Sequence, residues 1–272
     1  MTYPLTALIS DLHSNEQALE TALADAAERG AERYVCLGDV IGYGARPTYC
    51  LDWVMRLCGE GARDLRDRPV QSGLCLMGNH EHALLQSAED FNPRARAAIE
   101  WTRQAISAGR DGEGAGSEEF WNFIGDLEPT RSDDVAQFAH GSPRDPVREY
   151  MLPSDAGRPD KMRAVFAAQN RPVCFVGHSH VPFVYYSDGR IYRPSGTEGP
   201  YRIGASEDVK ALINVGSVGQ PRDGDTRLSY CLFDGERITF VRLPYAFEGA
   251  QADIRSVPEL PEYLADRLGE GR

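Results

Sequence analysis

Tyr34-Val35-Cys36-Leu37-Gly38-Asp39-Val40-Ile41-Gly42-Tyr43-Gly44 is an apolar run that ends in a carboxylate bracketed by glycines. Four apolar or aromatic residues in succession are long enough for a buried strand, and Gly38 lets the backbone leave the sheet with no Cβ in the way. Asp39 is thereby delivered to a sheet edge. One Gly-Asp after one strand is no more than a turn signal; what decides the fold is that the pattern returns along the chain.

Upstream, residues 5–9 read as a first buried strand running into Ser10-Asp11-Leu12-His13. Residues i and i+2 of an extended chain point to the same side, so the carboxylate and the imidazole converge. A helix follows, capped by Ser14 or Asn15, with Ala18, Leu19, Ala22, Leu23 and Ala26 on one face and Gly30 as its stop. This strand-helix-strand unit predicts a parallel pair with its polar residues at the carboxyl edge.

Downstream, residues 48–58 read as a helix, 59–72 as a polar connection and 74–77 as a third strand ending in Gly78-Asn79-His80-Glu81. Asn92-Pro93 opens a helix to about residue 108, with Pro at its first position, where the missing N–H costs nothing. Residues 111–116 form an acidic surface loop, and a short helix starts near Ser117. A fourth strand, 135–139, ends in His140-Gly141-Ser142-Pro143-Arg144. After a helix at 159–168, a fifth, 173–176, ends in Gly177-His178-Ser179-His180. From Val181 onward, β-branched and aromatic segments joined by turns give hairpin signals. They predict a second, mostly antiparallel sheet, a loop inserted at about 194–208, and a short closing helix at 260–268. No linker or repeat divides the chain, so a single domain over 1–272 is expected.

Forty-one acids against 29 bases leave a formal charge of −12, which argues against a nucleic-acid-binding surface and against anionic membranes. A phosphate-bearing substrate then needs local positive charge, which bound divalent metals supply whatever the sign of the whole protein. The N-terminus has no basic segment leading into an apolar core, and no run reaches the roughly 18–20 apolar residues of a membrane span. A cytoplasmic location is expected. The six cysteines are scattered without a C-x-x-C pair, four of them inside apolar runs, and read as reduced core residues.

The strand ends together hold Asp11, His13, Asp39, Asn79, His80, His140, His178 and His180. The chain has six histidines, and five of them directly follow apolar strands. One such histidine is ordinarily a hydrogen-bonded turn residue; five beside two Asp and an Asn are not explained that way. Carboxylate oxygen, imidazole nitrogen and amide oxygen suit a borderline divalent ion such as Mn, Fe, Zn or Co rather than calcium. Seven ligands are too many for one tetrahedral ion. They fit two metals about 3.5–4 Å apart sharing a carboxylate, an arrangement that clamps both oxygens in phosphoryl transfer and acidifies a bound water.

The ordered pieces Asp11-x-His13, Gly38-Asp39-x-x-Gly42, Gly78-Asn79-His80-Glu81, His140 and Gly177-His178-x-His180 resemble the five blocks of the calcineurin-like metallophosphoesterase superfamily. Ser142-Pro143-Arg144-Asp145-Pro146 and Gly216-Ser217-Val218-Gly219-Gln220-Pro221-Arg222-Asp223-Gly224 further resemble its small bacterial phosphoesterases and phosphodiesterases. The resemblance implies an α/β fold with four layers, α-β-β-α, in which two mixed sheets are flanked by helices. It implies Asp11, His13, Asp39 and His180 around one metal, and Asp39, Asn79, His140 and His178 around the other, with Asp39 and a hydroxide bridging them. In-line attack of that hydroxide on phosphorus follows, with no covalent enzyme intermediate. His80 then protonates the leaving oxygen or hydrogen-bonds the phosphoryl group, as Asn79 does. Glu81 either orients the His80 ring or is a helix-start residue.

Protein phosphatases of this superfamily follow the second block with Asp-Arg-Gly, whose Arg grips phosphate; here the place reads Gly42-Tyr43-Gly44. Arg144 and Arg222 are the candidates to replace that grip, because a guanidinium pairs with phosphate through two parallel hydrogen bonds. Tyr43 is a candidate to flank the substrate, Asn214 and Ser217 to line the pocket, and His82 reads as a solvated helical residue. The leading expectation is a hydrolase using two divalent ions, Mn or Fe first and Zn, Ni or Co behind them. Its substrate is a small phosphate ester: a phosphodiester or nucleotide. Dinucleoside-polyphosphate hydrolysis and protein dephosphorylation are the alternatives, and a binding scaffold with no activity is the alternative of another class. No feature sets an oligomeric state.

Overall fold

The computed structural model describes residues 3–88 and 93–272. The strands are β1 (Thr6–Ile9), β2 (Arg33–Cys36), β3 (Gln71–Cys75), β4 (Thr130–Ser132), β5 (Ala136–Ala139), β6 (Val173–Val176), β7 (Phe183–Tyr186), β8 (Ile191–Tyr192), β9 (Glu198–Arg202), β10 (Ala211–Asn214), β11 (Leu228–Phe233) and β12 (Arg237–Leu243). The helices are α1 (Glu16–Glu28), α2 (Pro47–Cys58), α3 (Asn79–Leu85), α4 (Pro93–Ala108), α5 (Ser117–Gly125), α6 (Pro159–Ala168), α7 (Phe247–Arg255) and α8 (Tyr263–Asp266), the last running into a 3-10 turn at Arg267–Glu270. The helix start expected at Asn92 lies outside the described residues.

The central strands are apolar on both faces, and that decides the layering. Ala7, Ile9, Tyr34 and Cys36 point to an outer core under the helices, while Leu8, Val35 and Leu37 point to an inner core shared with Phe138, Phe175 and Ile213 of the other sheet. On the far side, Cys174, Val176 and Leu212 pack with Val165 and Phe166 of α6. Period-two alternation therefore feeds three apolar layers. The result is two mixed six-stranded sheets, ordered β3-β2-β1-β11-β12-β9 and β4-β5-β6-β10-β7-β8, with helices outside both. β1, β2 and β3 run parallel, as do β5, β6 and β10.

The C-terminal strands do not make a sheet of their own. β7, β8 and β10 extend the second sheet, and β9, β11 and β12 complete the first, with β11 antiparallel to β1. All six positions of β11 are buried, so it belongs in the middle of a sheet, a placement that local hairpin signals do not specify. The 194–208 segment is likewise not all loop: β9 pairs antiparallel with β12. Its Glu198-Gly199-Pro200-Tyr201-Arg202 is largely exposed on an edge, where no alternating apolar pattern is required. α1 is capped by Asn15, whose side chain accepts from the Ala18 N–H at 3.1 Å. The six cysteines are unbridged. No helix among the described residues is long and apolar enough to cross a membrane.

Candidate metal centre

Each strand end delivers its polar side chain to one edge shared by the two sheets. β1 leads to Asp11 and His13, β2 to Asp39, β3 to Asn79 and His80 at the start of α3, β5 to His140, and β6 to His178 and His180. The turns are left-handed at Asp11, His13, Asp39, His178 and His180, with φ of 54, 47, 52, 64 and 59°. Such a conformation costs a non-glycine residue about 1–2 kcal/mol. It is held by cross-links between the two sheet ends and within the first: Asp11 and His13 N–H donate to the carbonyls of Gly38 and Asp39, both at 3.0 Å, and the His178 N–H donates to Asp11 Oδ2 at 3.0 Å.

Four imidazoles have their tautomers set by the backbone. His13 Nδ1–H donates to the Ile41 carbonyl at 3.1 Å, His140 Nδ1–H to Leu37 at 3.1 Å, His180 Nδ1–H to Gln220 at 2.5 Å, and His178 Nε2–H to Arg148 at 3.2 Å. A carbonyl only accepts, so when each ring is neutral its opposite nitrogen carries the lone pair. Those lone pairs face one another and the carboxylates. His13 Nε2 and His180 Nε2 are 3.2 Å apart, with Asp11 Oδ1 3.2 Å from the latter and Asp39 Oδ2 3.7 Å from the former. His140 Nε2 stands 3.1 Å from His178 Nδ1, 3.1 Å from Asn79 Oδ1 and 3.3 Å from Asp39 Oδ2. Asp39 belongs to both groups, and within each the acidic and imidazole ligand atoms lie within 4.8 Å of one another. Carboxylate, imidazole and amide ligand atoms converging in residues no more than 3% exposed apart from Asn79 form a candidate donor set for a pair of divalent cations.

Electrostatics agree. Burial pushes His13 and His180 down, and His178 to about 3, holding them neutral as ligands must be. Burial would lift both carboxyls, but the facing histidines keep Asp11 and Asp39 below the usual carboxylate range. Burial also pulls on His140, yet Asp39 outweighs it and lifts that ring to about 9.

Residues 5–182 match the calcineurin-like phosphoesterase family. The chain belongs to that family. It is therefore a hydrolase of phosphoester bonds, with a candidate two-metal cluster of the kind the family uses. It is 35% identical, in an alignment of 281 positions that covers 100% of both chains, to the uncharacterized protein MJ0912 of Methanocaldococcus jannaschii. The crystal structure of a metallophosphoesterase from Sphaerobacter thermophilus is similar over 99% of this chain and 100% of that one, with a TM-score of 0.78 and 33% identity. The hypothetical protein PH1004 from Pyrococcus horikoshii shares the fold, with a TM-score of 0.73 over 98% of each chain at 17% identity.

The phosphoesterase surrounds these groups with supports that the sequence left open. Glu81 does not reach the His80 ring through its carboxylate; Oε2 accepts from the N–H groups of Asp39 and Gly78, both at 2.9 Å, and Oε1 from Ile41 at 3.2 Å. Burial, then the charge on Asp39, pushes its carboxyl up to about 7. His80 is buried, with its N–H donating to Asp39 Oδ1 at 2.9 Å and its ring 4.5 Å from Tyr43 and 4.8 Å from His13. A Cβ on Gly42, where φ is +89°, would stand 2.1 Å from His80 Nδ1, so only glycine admits that ring. Asn214 and Ser217 position backbone rather than line a pocket: Asn214 donates to Ser179 Oγ and accepts from Gly216, and Ser217 donates to the Asp11 carbonyl at 2.9 Å. Arg144 is engaged by Glu149, while Arg222 lies half-buried, 5.8 Å from the Tyr43 ring. Two neighbours carried no local sequence signal: Tyr150, stacked on His178 at 3.7 Å, and Arg267, 5.7 Å from Tyr43.

Proposed function

We propose that this phosphoesterase hydrolyses a small phosphate ester, a phosphodiester or a nucleotide, on a dinuclear centre held by Asp11, His13, Asp39 and His180 on one side and Asp39, Asn79, His140 and His178 on the other. One observation carries the reading: four rings fixed by backbone carbonyls so that their lone pairs meet two carboxylates and an amide oxygen. Two divalent ions, when bound, supply Lewis acidity and acidify a water at neutral pH. Asp39 spans the two groups, and its second oxygen, engaged by the His80 N–H, is fixed in orientation. Asn79 and His80 sit at the start of α3 and are assigned to the phosphoryl oxygens, with His80 placed to deliver a proton to the leaving oxygen. Arg222 supports phosphate binding from the rim; Arg144 would have to leave Glu149 to join it.

Manganese or iron is our choice of metal from the mixed oxygen and nitrogen donors, and the free cysteines favour a reducing, cytoplasmic setting. The test is metal analysis with turnover: chelated protein is resupplied with Mn, Fe, Ni, Zn or Mg and assayed on paired monoester, diester and dinucleoside-polyphosphate substrates. About two ions per chain with restored hydrolysis is the expected result. Full loading with no hydrolysis of any substrate would overturn the reading in favour of a binding scaffold.

A further inference from the structure

We propose that the rim of the metal centre holds a second phosphate subsite, built by Arg222 and Arg267 across the Tyr43 ring, which selects substrates whose leaving group is itself a phosphate. The inference rests on the phosphoesterase reading above and names the class of substrate within it.

Tyr43 is the link between the subsite and the reacting centre. Its ring lies 4.7 Å from His13 and 4.5 Å from His80, and the guanidinium carbons of Arg222 and Arg267 lie 5.8 and 5.7 Å from the same ring. Arg222 stands beside the ligand cluster, its backbone N–H 3.4 Å from the His180 carbonyl and its charge bearing on His80 and on His180. Arg267 comes from the C-terminal end, where Leu264, Ala265 and Leu268 pack with Tyr43 and Ala45.

Charge gives the pair its meaning. In a chain of net charge −12, arginines such as Arg33, Arg46, Arg68, Arg110 and Arg227 each hold a carboxylate. Among the described residues neither Arg222 nor Arg267 has an Asp or Glu side chain within ion-pair distance. Arg222 donates to Gln220 Oε1 at 2.8 Å and leaves its buried Nε without a partner. Arg267 spends Nε on the main-chain oxygen of Arg272, the last residue described, and its two terminal nitrogens make no hydrogen bond among the described residues. Two half-buried guanidiniums side by side repel, and besides burial it is Arg222 that most disfavours the charge on Arg267. Such a pair is stabilised by an anion that accepts from both, and phosphate matches the guanidinium fork.

The position assigns the anion a part in the reaction. Adjacent phosphates of an anhydride share one oxygen, so cations next to the metal centre meet the neighbouring phosphate. A water oxygen would bond to the phosphorus positioned beside the Asp39 ligand cluster, and the bond from that phosphorus to the shared oxygen would break. The electron pair would leave on the shared oxygen of the departing phosphate, and one water proton would pass to solvent while the other stays on the attacking oxygen. The two guanidiniums would neutralise the added negative charge in place of the proton that His80 delivers to a poorer leaving oxygen.

Arg267→Gln removes one charge and keeps a polar stem; Arg267→Lys restores the charge without the fork. On metal-loaded enzyme, Arg267→Gln is expected to lower kcat/KM for ADP about tenfold more than kcat/KM for p-nitrophenyl phosphate, with Arg267→Lys recovering part of the difference. An equal factor for both substrates, or no change for either, overturns the proposal. Calorimetric titration of the chelated protein supplies a reading that needs no turnover. Tripolyphosphate is expected to bind more tightly than orthophosphate and to lose that advantage in Arg267→Gln, with an unchanged melting temperature showing that the fold is kept. Retained tripolyphosphate affinity in the variant overturns the subsite. Failure of every substrate with every metal would instead sink the phosphoesterase reading, while the titration still judges the subsite.

Discussion

The Glu81 carboxylate accepts the Asp39 backbone N–H at 2.9 Å, and with it those of Gly78 and Ile41, so one buried side chain fastens the turn after β2 to the turn after β3. Those turns carry Asp39 and Asn79. Glu81→Ala leaves three buried donors without partners, and each orphaned donor costs about 1–3 kcal/mol. A loss of about 3 kcal/mol or more in unfolding free energy is expected, together with a metal affinity lowered about 10–100-fold, the effect of removing an outer support. Glu81→Gln keeps an acceptor oxygen and should fall between. Denaturant melts of the chelated protein, paired with metal titration, check this; an unaltered melt would mean that Glu81 does not organise the two turns.

Asp39→Asn tests the shared position. The amide is nearly the same size and keeps an oxygen for the His80 N–H, so the fold should persist. It removes the negative charge common to both ligand groups. Activity is expected to fall by more than about 10²-fold, beyond the effect of an outer support, and metal content to drop below two per chain. Near-normal turnover with full occupancy would show that Asp39 does not bridge.

Gly42→Ala tests the placement of His80. Its new methyl would stand 2.1 Å from His80 Nδ1, on a backbone with φ of +89° that alanine adopts only with about 1–2 kcal/mol of strain. No ligand atom is removed. Metal content should therefore stay near two per chain while kcat falls, most for substrates with poor leaving groups if His80 supplies the proton. Uniform slowing across leaving groups would argue for a phosphoryl contact instead.

Why the centre was legible in the sequence, and its surroundings were not, follows from particular residues. Asp11, His13, Asp39, Asn79, His140, His178 and His180 each stand directly after an apolar run, and a parallel sheet gathers such ends at one edge. Period and position together predict the gathering of these side chains that the structure shows. Arg267 reaches Tyr43 only because the last helices pack back on the second turn, and nothing local marks that return. Arg144 sits in the right turn but is claimed by Glu149 five residues on, a pairing settled by side-chain reach rather than pattern. The left-handed backbone at Asp11, His13 and Asp39 leaves no mark in composition either, since none is a glycine; long-range hydrogen bonds impose it. The turn signals after Val181 agree with the β11–β12 hairpin, but the other neighbour of β11 in the sheet is β1, more than two hundred residues away, which no local signal marks.

The acid–base state of His140 gives metal loading a proton signature. Burial acts against its charge, but Asp39 at 3.3 Å raises the ring from 6.5 to about 9, so in the chelated protein at neutral pH its Nε2 carries a proton where a cation would otherwise sit. A raised pKa stabilises the fold fully below the unfolded value. That contribution should therefore be present below about pH 6.5 and disappear as the pH climbs toward 9. In the same window a metal must displace the proton before it can use the lone pair, so affinity should rise with pH until His140 is neutral. Calorimetric metal titrations at pH 7 in buffers of different ionisation enthalpy should report close to one proton released from this ring, a release that His140→Gln abolishes. Equal proton release from the variant and the native protein would place the displaced proton on another group.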